Sequence, residues 1–214
     1  MATTLYFVRH GESVTNFNKV FTGQLDYPLS ELGLKQAELL ANYFKDIKID
    51  KIYSSDLTRT HQTITPTAKA LNLEINDDSR LREVYGGKWE DKSFSEILEK
   101  YNADYVQWQN DVVNARCTDG ESFKEVSERV YQAVLDIVKE NEGKSIIVVA
   151  HSNPIKTITL RSEHPTMTDK EKIVAPPNTS VNKIVYEDGK FKLINKGDIS
   201  HLETIKDKIK QRFA

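Results

Sequence analysis

Cys117 is the only cysteine in the 214 residues, so the chain can close no internal disulfide and build no multi-cysteine metal site. No stretch approaches the roughly 20 consecutive apolar residues that a membrane-spanning helix needs. The opening "MATTLYFV" has neither a basic segment nor a long apolar run, which predicts no secretory signal and a cytoplasmic protein. Charge of either sign is not in excess. A formal net charge of -2 and an isoelectric point near 6.2 exclude a broad electrostatic footprint for nucleic acid. Any anion recognition must therefore be local. Repeats, low-complexity tracts and linkers are also missing, so residues 1–214 read as a single domain.

What is present is an alternation of apolar runs and helical patterns. With 38% hydrophobic residues the chain can bury one sizeable core. Thr4–Val8, Lys51–Ser55 and Ser145–Ala150 are apolar without alternation, as strands covered on both faces are. Leu32, Leu40, Phe44 and Ile47 recur at helical spacing behind Ser30, a candidate N-cap after Pro28. A second helix is expected after "SSD", through Leu57 and Ile64 to about Leu71, with Pro66 as a point of interruption or shift. A third spans about Glu121 to Asn141, with Phe123, Val126, Val130, Val134, Ile137 and Val138 on one face and Gly143 at its stop. Asp188-Gly189 marks a hairpin turn, and Leu202, Ile205, Ile209 and Phe213 form the apolar stripe of a docked terminal helix. The expected fold is α/β: a three-layer sandwich, its mostly parallel sheet covered by helices on both faces, with residues 93–119 as a small helical cap.

In such sheets ligands bind beyond the C-terminal strand ends. The first strand ends in Arg9-His10-Gly11. The second ends in Ser54-Ser55-Asp56, with Arg59 and His61 just inside the following helix. The third ends in His151-Ser152-Asn153-Pro154, where Asn153 and Pro154 read as N-cap and first helical residue. Two arginines and two histidines gathered at one edge repel one another unless an anion lies between them, and a dianionic phosphate fits. A metal between His10 and His151 is disfavoured, because the arginines would repel it and no carboxylate cluster adjoins either histidine at ligand spacing. His61, His164 and His201 read as ordinary polar residues.

These residues carry a family resemblance. "RHGES" followed by Asn16 resembles the signature of the histidine phosphatase superfamily, the phosphoglycerate mutase-like proteins. Four further blocks follow in the same order: "FTGQLDYPLSELGLKQA" (Phe21–Ala37), "SSDLTRTHQT" (Ser54–Thr63), "LREVYGGKWED" (Leu81–Asp91) with "GES" at Gly120–Ser122, and "VVAHSNPIK" (Val148–Lys156). The resemblance implies that His10 is the nucleophile forming a phosphohistidine and that Arg9, Arg59 and His151 grip the phosphoryl oxygens. It further implies an amide donor at Asn16, and at Glu83 the acid that protonates the leaving alcohol and then the base that activates water. Thr22 and Gly23 would line the entrance, and backbone around Ser152 and Asn153 would touch phosphate. Three positions depart from the family pattern: Ser152 stands for glycine, Lys156 for arginine, and Asp91 for glycine.

The implied roles make physical demands. His10 must be neutral, with a backbone carbonyl holding its other nitrogen as donor. Gly11 would let chain and phosphate approach closely. Fixed cations would balance the phosphoryl charge without metal or cofactor. Glu83 would work near neutral pH only with a raised pKa. The expected activity is hydrolysis of a small phosphorylated metabolite. The alternatives are mutase-type phosphoryl transfer and a non-catalytic phosphate-ester binding module; the presence of His10 and Glu83 disfavours the second. The span after Glu83 takes the form seen in the family's hydrolases and lacks the mutases' later insertion. Trp89, Phe94, Tyr105 and Trp108 are candidates both for pocket lining and for cap core. Whether copies of the chain associate is not readable.

Overall fold

The computed structural model describes residues 1–163 and 174–213, with side chains to residue 209. His164 and the side chain of Phe213 fall outside them. In chain order the elements are β1 (Thr3–Arg9), α1 (Val14–Phe17), β2 (Val20–Phe21), α2 (Glu31–Phe44), β3 (Lys51–Ser54), α3 (Thr58–Leu71), β4 (Ile75–Asp77), β5 (Lys92–Ser93), α4 (Phe94–Lys100) and α5 (Asn102–Asn110). There follow α6 (Phe123–Glu140), β6 (Ser145–Ala150), α7 (Ser152–Glu163), β7 (Val181–Glu187), β8 (Lys190–Asp198) and α8 (Lys206–Phe213). Six strands form the central sheet in the order β4-β3-β6-β1-β7-β8. Four neighbours, β4, β3, β6 and β1, are parallel, and the hairpin of β7 and β8 joins β1 antiparallel.

The strands lack hydrophobic alternation because both sheet faces are covered. Leu5 and Phe7 of β1 join Ile146 and Val148 of β6 in a cluster with Val126, Val130 and Val134 of α6. The intervening Tyr6, Val8, Ile147 and Val149 face Leu40, Phe44 and Ile64 of α2 and α3. Sequence and structure agree on the faces of these helices. Ser30 caps α2 through its side chain on the Gly33 amide at 3.1 Å. Pro66 lies inside α3 without ending it. Asp188 and Gly189 both have positive φ, 51° and 77°, as a two-residue type I′ hairpin turn requires. The terminal stripe begins with a 3₁₀ turn, Ser200–Ile205, before α8, and Leu202 and Ile205 pack on Leu32. No helix of the described residues is long and apolar enough to cross a membrane.

Two corrections concern the strand ends. α7 begins at Ser152, so Asn153 sits inside the first turn instead of capping it, and Pro154 is accommodated because first-turn amides have no intrahelical partner anyway. Gly11 has no side chain because the backbone of α2 lies against it: a Cβ there would stand 2.8 Å from the Gly33 carbonyl oxygen. The contact is mutual, since a Cβ on Gly33 would come within 2.0 Å of the Glu12 carbonyl oxygen. Backbone packs on backbone, and this seats the loop after β1.

Gly33→Ala should gain helix propensity, about 1 kcal/mol, yet lose more to overpacking against an immovable carbonyl. The expected net cost is about 2–3 kcal/mol, read as a fall in Tm of roughly 5–10 °C for a domain of this size. An unchanged or raised Tm would contradict the backbone contact.

Candidate active site

The ends of β1, β3 and β6 converge on a cavity of about 240 Å³. Its walls carry Arg9, His10, Asn16, Thr22, Gly23, Arg59, Glu83, Ser152 and Asn153. Nine of the ten residues singled out from the sequence thus share one cavity. The tenth, His151, stands behind it.

His10 is 4 % exposed, and its Nδ1 lies 2.7 Å from the carbonyl oxygen of Gly11. A carbonyl only accepts, so Nδ1 carries the proton and Nε2 keeps its lone pair. The Gly11 amide donates to Thr63 Oγ1 of α3 at 2.8 Å, and the Glu12 amide, on the peptide whose carbonyl holds the ring, donates to Gln36 Oε1 of α2 at 2.8 Å. Burial, then Arg59 and Arg9, hold the imidazole well below its ordinary value of 6.5. His10 is neutral at neutral pH.

His151 is fully buried beside it, with ring centroids 5.1 Å apart. Arg59 Nε donates to its Nδ1 at 3.2 Å, and its Nε2 lies 2.9 Å from Ser55 Oγ. Both nitrogens are taken, so in this arrangement His151 orients Arg59 and does not face the cavity. Burial, followed by Arg59 and His10, lowers its pKa well below 6.5.

Arg59 is only 1 % exposed and uses its two remaining nitrogens on the carbonyls of Leu25 and Gly23, at 2.8 and 2.9 Å. Burial brings its pKa down to about 10, which leaves it charged. Gly23 has φ +57, and a Cβ there would meet Glu90 Oε1 at 2.0 Å, so a side chain at this position would be strained and would displace Glu90. Arg9 gives one terminal nitrogen to the Pro176 carbonyl at 2.7 Å, and its Nε is buried with no acceptor. An orphaned charged donor on a cavity wall is a place for an anion. Glu83 accepts from the Val84 amide at 2.9 Å and the Asn153 amide at 3.1 Å. The Asn153 amide, expected at the phosphate, is therefore committed to Glu83.

Several supporting residues were not read from the sequence. Asn178 Nδ2 donates to the His10 carbonyl at 2.9 Å and to Asn16 Oδ1 at 3.3 Å, which leaves the Asn16 amide nitrogen as the group able to donate. Thr179, at φ 55 in a region costly for a β-branched residue, gives its amide to the Arg9 carbonyl at 3.0 Å. From α6, Arg129 donates to the carbonyls of Arg80, Arg82 and Glu83 at 2.7–2.8 Å while paired with Glu121. It holds the segment that carries Glu83. Of the cap aromatics, Phe94 and Trp108 line the cavity, whereas Trp89 and Tyr105 are core. Among the described residues no three His, Cys, Asp or Glu side chains gather as a metal site would require. Cys117 is buried in the core, and burial pushes its thiol up.

Comparison with known proteins identifies the family. The Histidine phosphatase superfamily (branch 1) matches residues 5–199, and the chain belongs to that family. It is 36% identical over 154 residues to "Phosphoserine phosphatase 1" of Hydrogenobacter thermophilus, covering 72% of this chain and 73% of the relative. It is 31% identical over 205 residues to "Probable phosphoglycerate mutase GpmB" of Salmonella arizonae, covering 93% and 94%. Among solved structures it resembles Bacillus stearothermophilus YhfR, with a TM-score of 0.87 at 30% identity over 94% of this chain and 99% of that one. A phosphoserine phosphatase variant of Entamoeba histolytica in complex with phosphoserine gives a TM-score of 0.83 at 28% identity, over 94% and 99%.

The buried neutral histidines set a pH dependence of stability. In the unfolded chain each takes up a proton as pH falls through about 6.5, whereas in the folded chain each stays neutral to lower pH. Below pH 6.5 the unfolded state therefore binds more protons, and stability falls as pH falls. Urea unfolding should show a loss of about 2 kcal/mol between pH 6.5 and 5.5 from the pair together, with His151→Asn removing half of that slope. Equal stability at the two pH values would mean that these imidazoles ionise normally in the fold.

Proposed function

We propose that this protein is a metal-independent phosphomonoester hydrolase that works through a phosphohistidine on His10. The observation that carries the reading is the 2.7 Å contact of His10 Nδ1 with the Gly11 carbonyl, in a cavity also lined by Arg9, the buried Arg59 and Glu83. With Nδ1 holding the proton, Nε2 is a nucleophile that needs no general base. It attacks phosphorus in line, a nitrogen–phosphorus bond forms, and the ester oxygen leaves. Glu83 gives its proton to that oxygen, so the alcohol departs neutral. The Gly11 carbonyl supports the positive charge that the ring acquires.

Arg9 and Arg59 stabilise the three spreading oxygens, acting as fixed charges that need not reorganise during reaction. Water then attacks the phosphohistidine. Glu83, now a carboxylate, takes the water proton, the nitrogen–phosphorus bond breaks, and inorganic phosphate is released with His10 restored. The short helices α4 and α5 cover the cavity through Phe94 and Trp108, a slight roof that favours hydrolysis over retention of the phosphoryl group.

Phosphate release and interconversion of 2- and 3-phosphoglycerate, followed in one assay, separate hydrolase from mutase. Phosphate release from monoesters is expected to dominate, to be unaffected by EDTA, and to vanish in His10→Ala without loss of the fold. Arg59→Ala should cost about 3 kcal/mol of transition-state stabilisation, as for one preorganised donor. Isomerisation far faster than release, and dependent on 2,3-bisphosphoglycerate priming, would establish the mutase instead. Activity lost to EDTA and restored by a divalent cation would overturn the metal-free chemistry.

A further inference from the structure

His201 reads from the sequence as an ordinary polar residue, and the hydrolytic chemistry does not use it. Its ring is nevertheless held in one place. The 3₁₀ turn that carries it, Ser200–Ile205, packs through Leu202 and Ile205 on Leu32 of α2, next to the Gly33 backbone that seats Gly11. Tyr43, also of α2, meets the imidazole at a steep angle with ring centroids 5.4 Å apart, and its hydroxyl donates to Asp198 at 2.9 Å. Burial brings the His201 ring down to about 4, so it is neutral at neutral pH.

A neutral imidazole has one N–H to give. His201 Nε2 lies 3.2 Å from Thr179 Oγ1, whereas Nδ1 is buried with no hydrogen-bond partner among the described residues. The Thr179 hydroxyl gives its own proton to the Asn178 carbonyl at 2.8 Å, so towards the ring it can only accept. The His201 proton therefore sits on Nε2. A buried nitrogen left unmet costs stability, so the ring contributes through its one hydrogen bond more than through packing.

That bond holds a strained residue beside the nucleophile. Thr179 is fully buried at φ 55, a conformation that persists only where its surroundings over-determine it. Its amide donates to the Arg9 carbonyl at 3.0 Å, and Asn178 Nδ2 donates to the His10 carbonyl at 2.9 Å. A continuous chain of hydrogen bonds thus runs from His201 through Thr179 and Asn178 to the backbone that bears the His10 ring.

We infer that His201 is a positioning residue for the nucleophile: its Nε2 proton holds Thr179 in the left-handed conformation that ties residues 178 and 179 to the backbone of Arg9 and His10. This rests on the hydrolase reading for the reaction it serves, but the link itself is measurable without turnover.

His201→Phe keeps a ring against Tyr43 and removes the donor, whereas His201→Gln keeps an amide donor in place of Nε2. Amide hydrogen exchange at residue 179 is followed by magnetic resonance in the full chain, and kcat is measured with p-nitrophenyl phosphate. In His201→Phe the Thr179 amide should exchange at least tenfold faster while the amides of the β1–β6 ladder are unchanged. Its kcat should fall about tenfold, as for a misplaced reacting group. His201→Gln should return both to within threefold of the native chain. Where the phenyl ring unfolds the chain, His201→Leu makes the same comparison. Glycine adopts φ 55 without steric cost, so in Thr179→Gly protein the added His201→Phe should change either readout less than twofold. Unchanged exchange at Thr179 in His201→Phe, no recovery in His201→Gln, or a second tenfold loss on the Thr179→Gly background would overturn the role. A native chain that releases no phosphate would refute the hydrolase reading alone, because the exchange rates still decide the role of His201.

Discussion

A single hydrogen bond, from His10 Nδ1 to the carbonyl of the next residue, organises the centre of this protein. It settles which ring nitrogen carries the proton, and thereby which one has a lone pair to offer. The surroundings keep that bond in place. The Gly11 peptide is tied to Thr63 of α3, its α-carbon is pressed on the Gly33 backbone of α2, and the His10 carbonyl is held by Asn178 ahead of β7. Three elements remote in sequence thus fix the His10–Gly11 peptide and the Gly11 α-carbon, and the next peptide, which carries the accepting carbonyl, is held by the Glu12 amide donating to Gln36 Oε1 of α2 at 2.8 Å. The strained φ of Thr179 belongs to the same arrangement, since its amide ties the loop to the end of β1.

Burial and charge then divide the roles of two chemically identical side chains. Both histidines are kept neutral by desolvation and by neighbouring arginines. His10 has one nitrogen satisfied and the other facing the cavity, whereas His151 has both nitrogens engaged. One therefore suits nucleophilic attack and the other serves to aim a guanidinium. The positive field comes from arginines that stay charged despite burial, so the site attracts a dianion without needing a protonated histidine. Repulsion among the four basic groups, which suggested an anion in the first place, is reduced by the neutrality of two of them.

Much of this was legible in the sequence because parallel strands deliver their C-terminal residues to one edge. Arg9, His10, Arg59 and Glu83 are recognisable from their position at or after strand ends together with the ordered motif blocks. What was not legible depended on contacts across long sequence separations. Asn178 reaches His10 across 168 residues, and Arg129 reaches the Glu83 carbonyl from a helix whose periodicity reports only its apolar face. The engagement of His151 by Arg59 was hidden for the same reason. The start of α7 was misplaced because Asn-Pro is a good local N-cap signal, but the first helical turn tolerates proline at more than one position. Gly11 was correctly read as a place of close approach, yet the approaching group is another backbone.

The most direct measurement is the tautomer and charge of the His10 ring by nitrogen-15 magnetic resonance at pH 6, with His10→Ala used to assign the signal. A neutral ring protonated on Nδ1, with Nε2 free, is expected at this pH. A ring protonated on Nε2, or an imidazolium at pH 6, would contradict the arrangement on which the proposed chemistry depends.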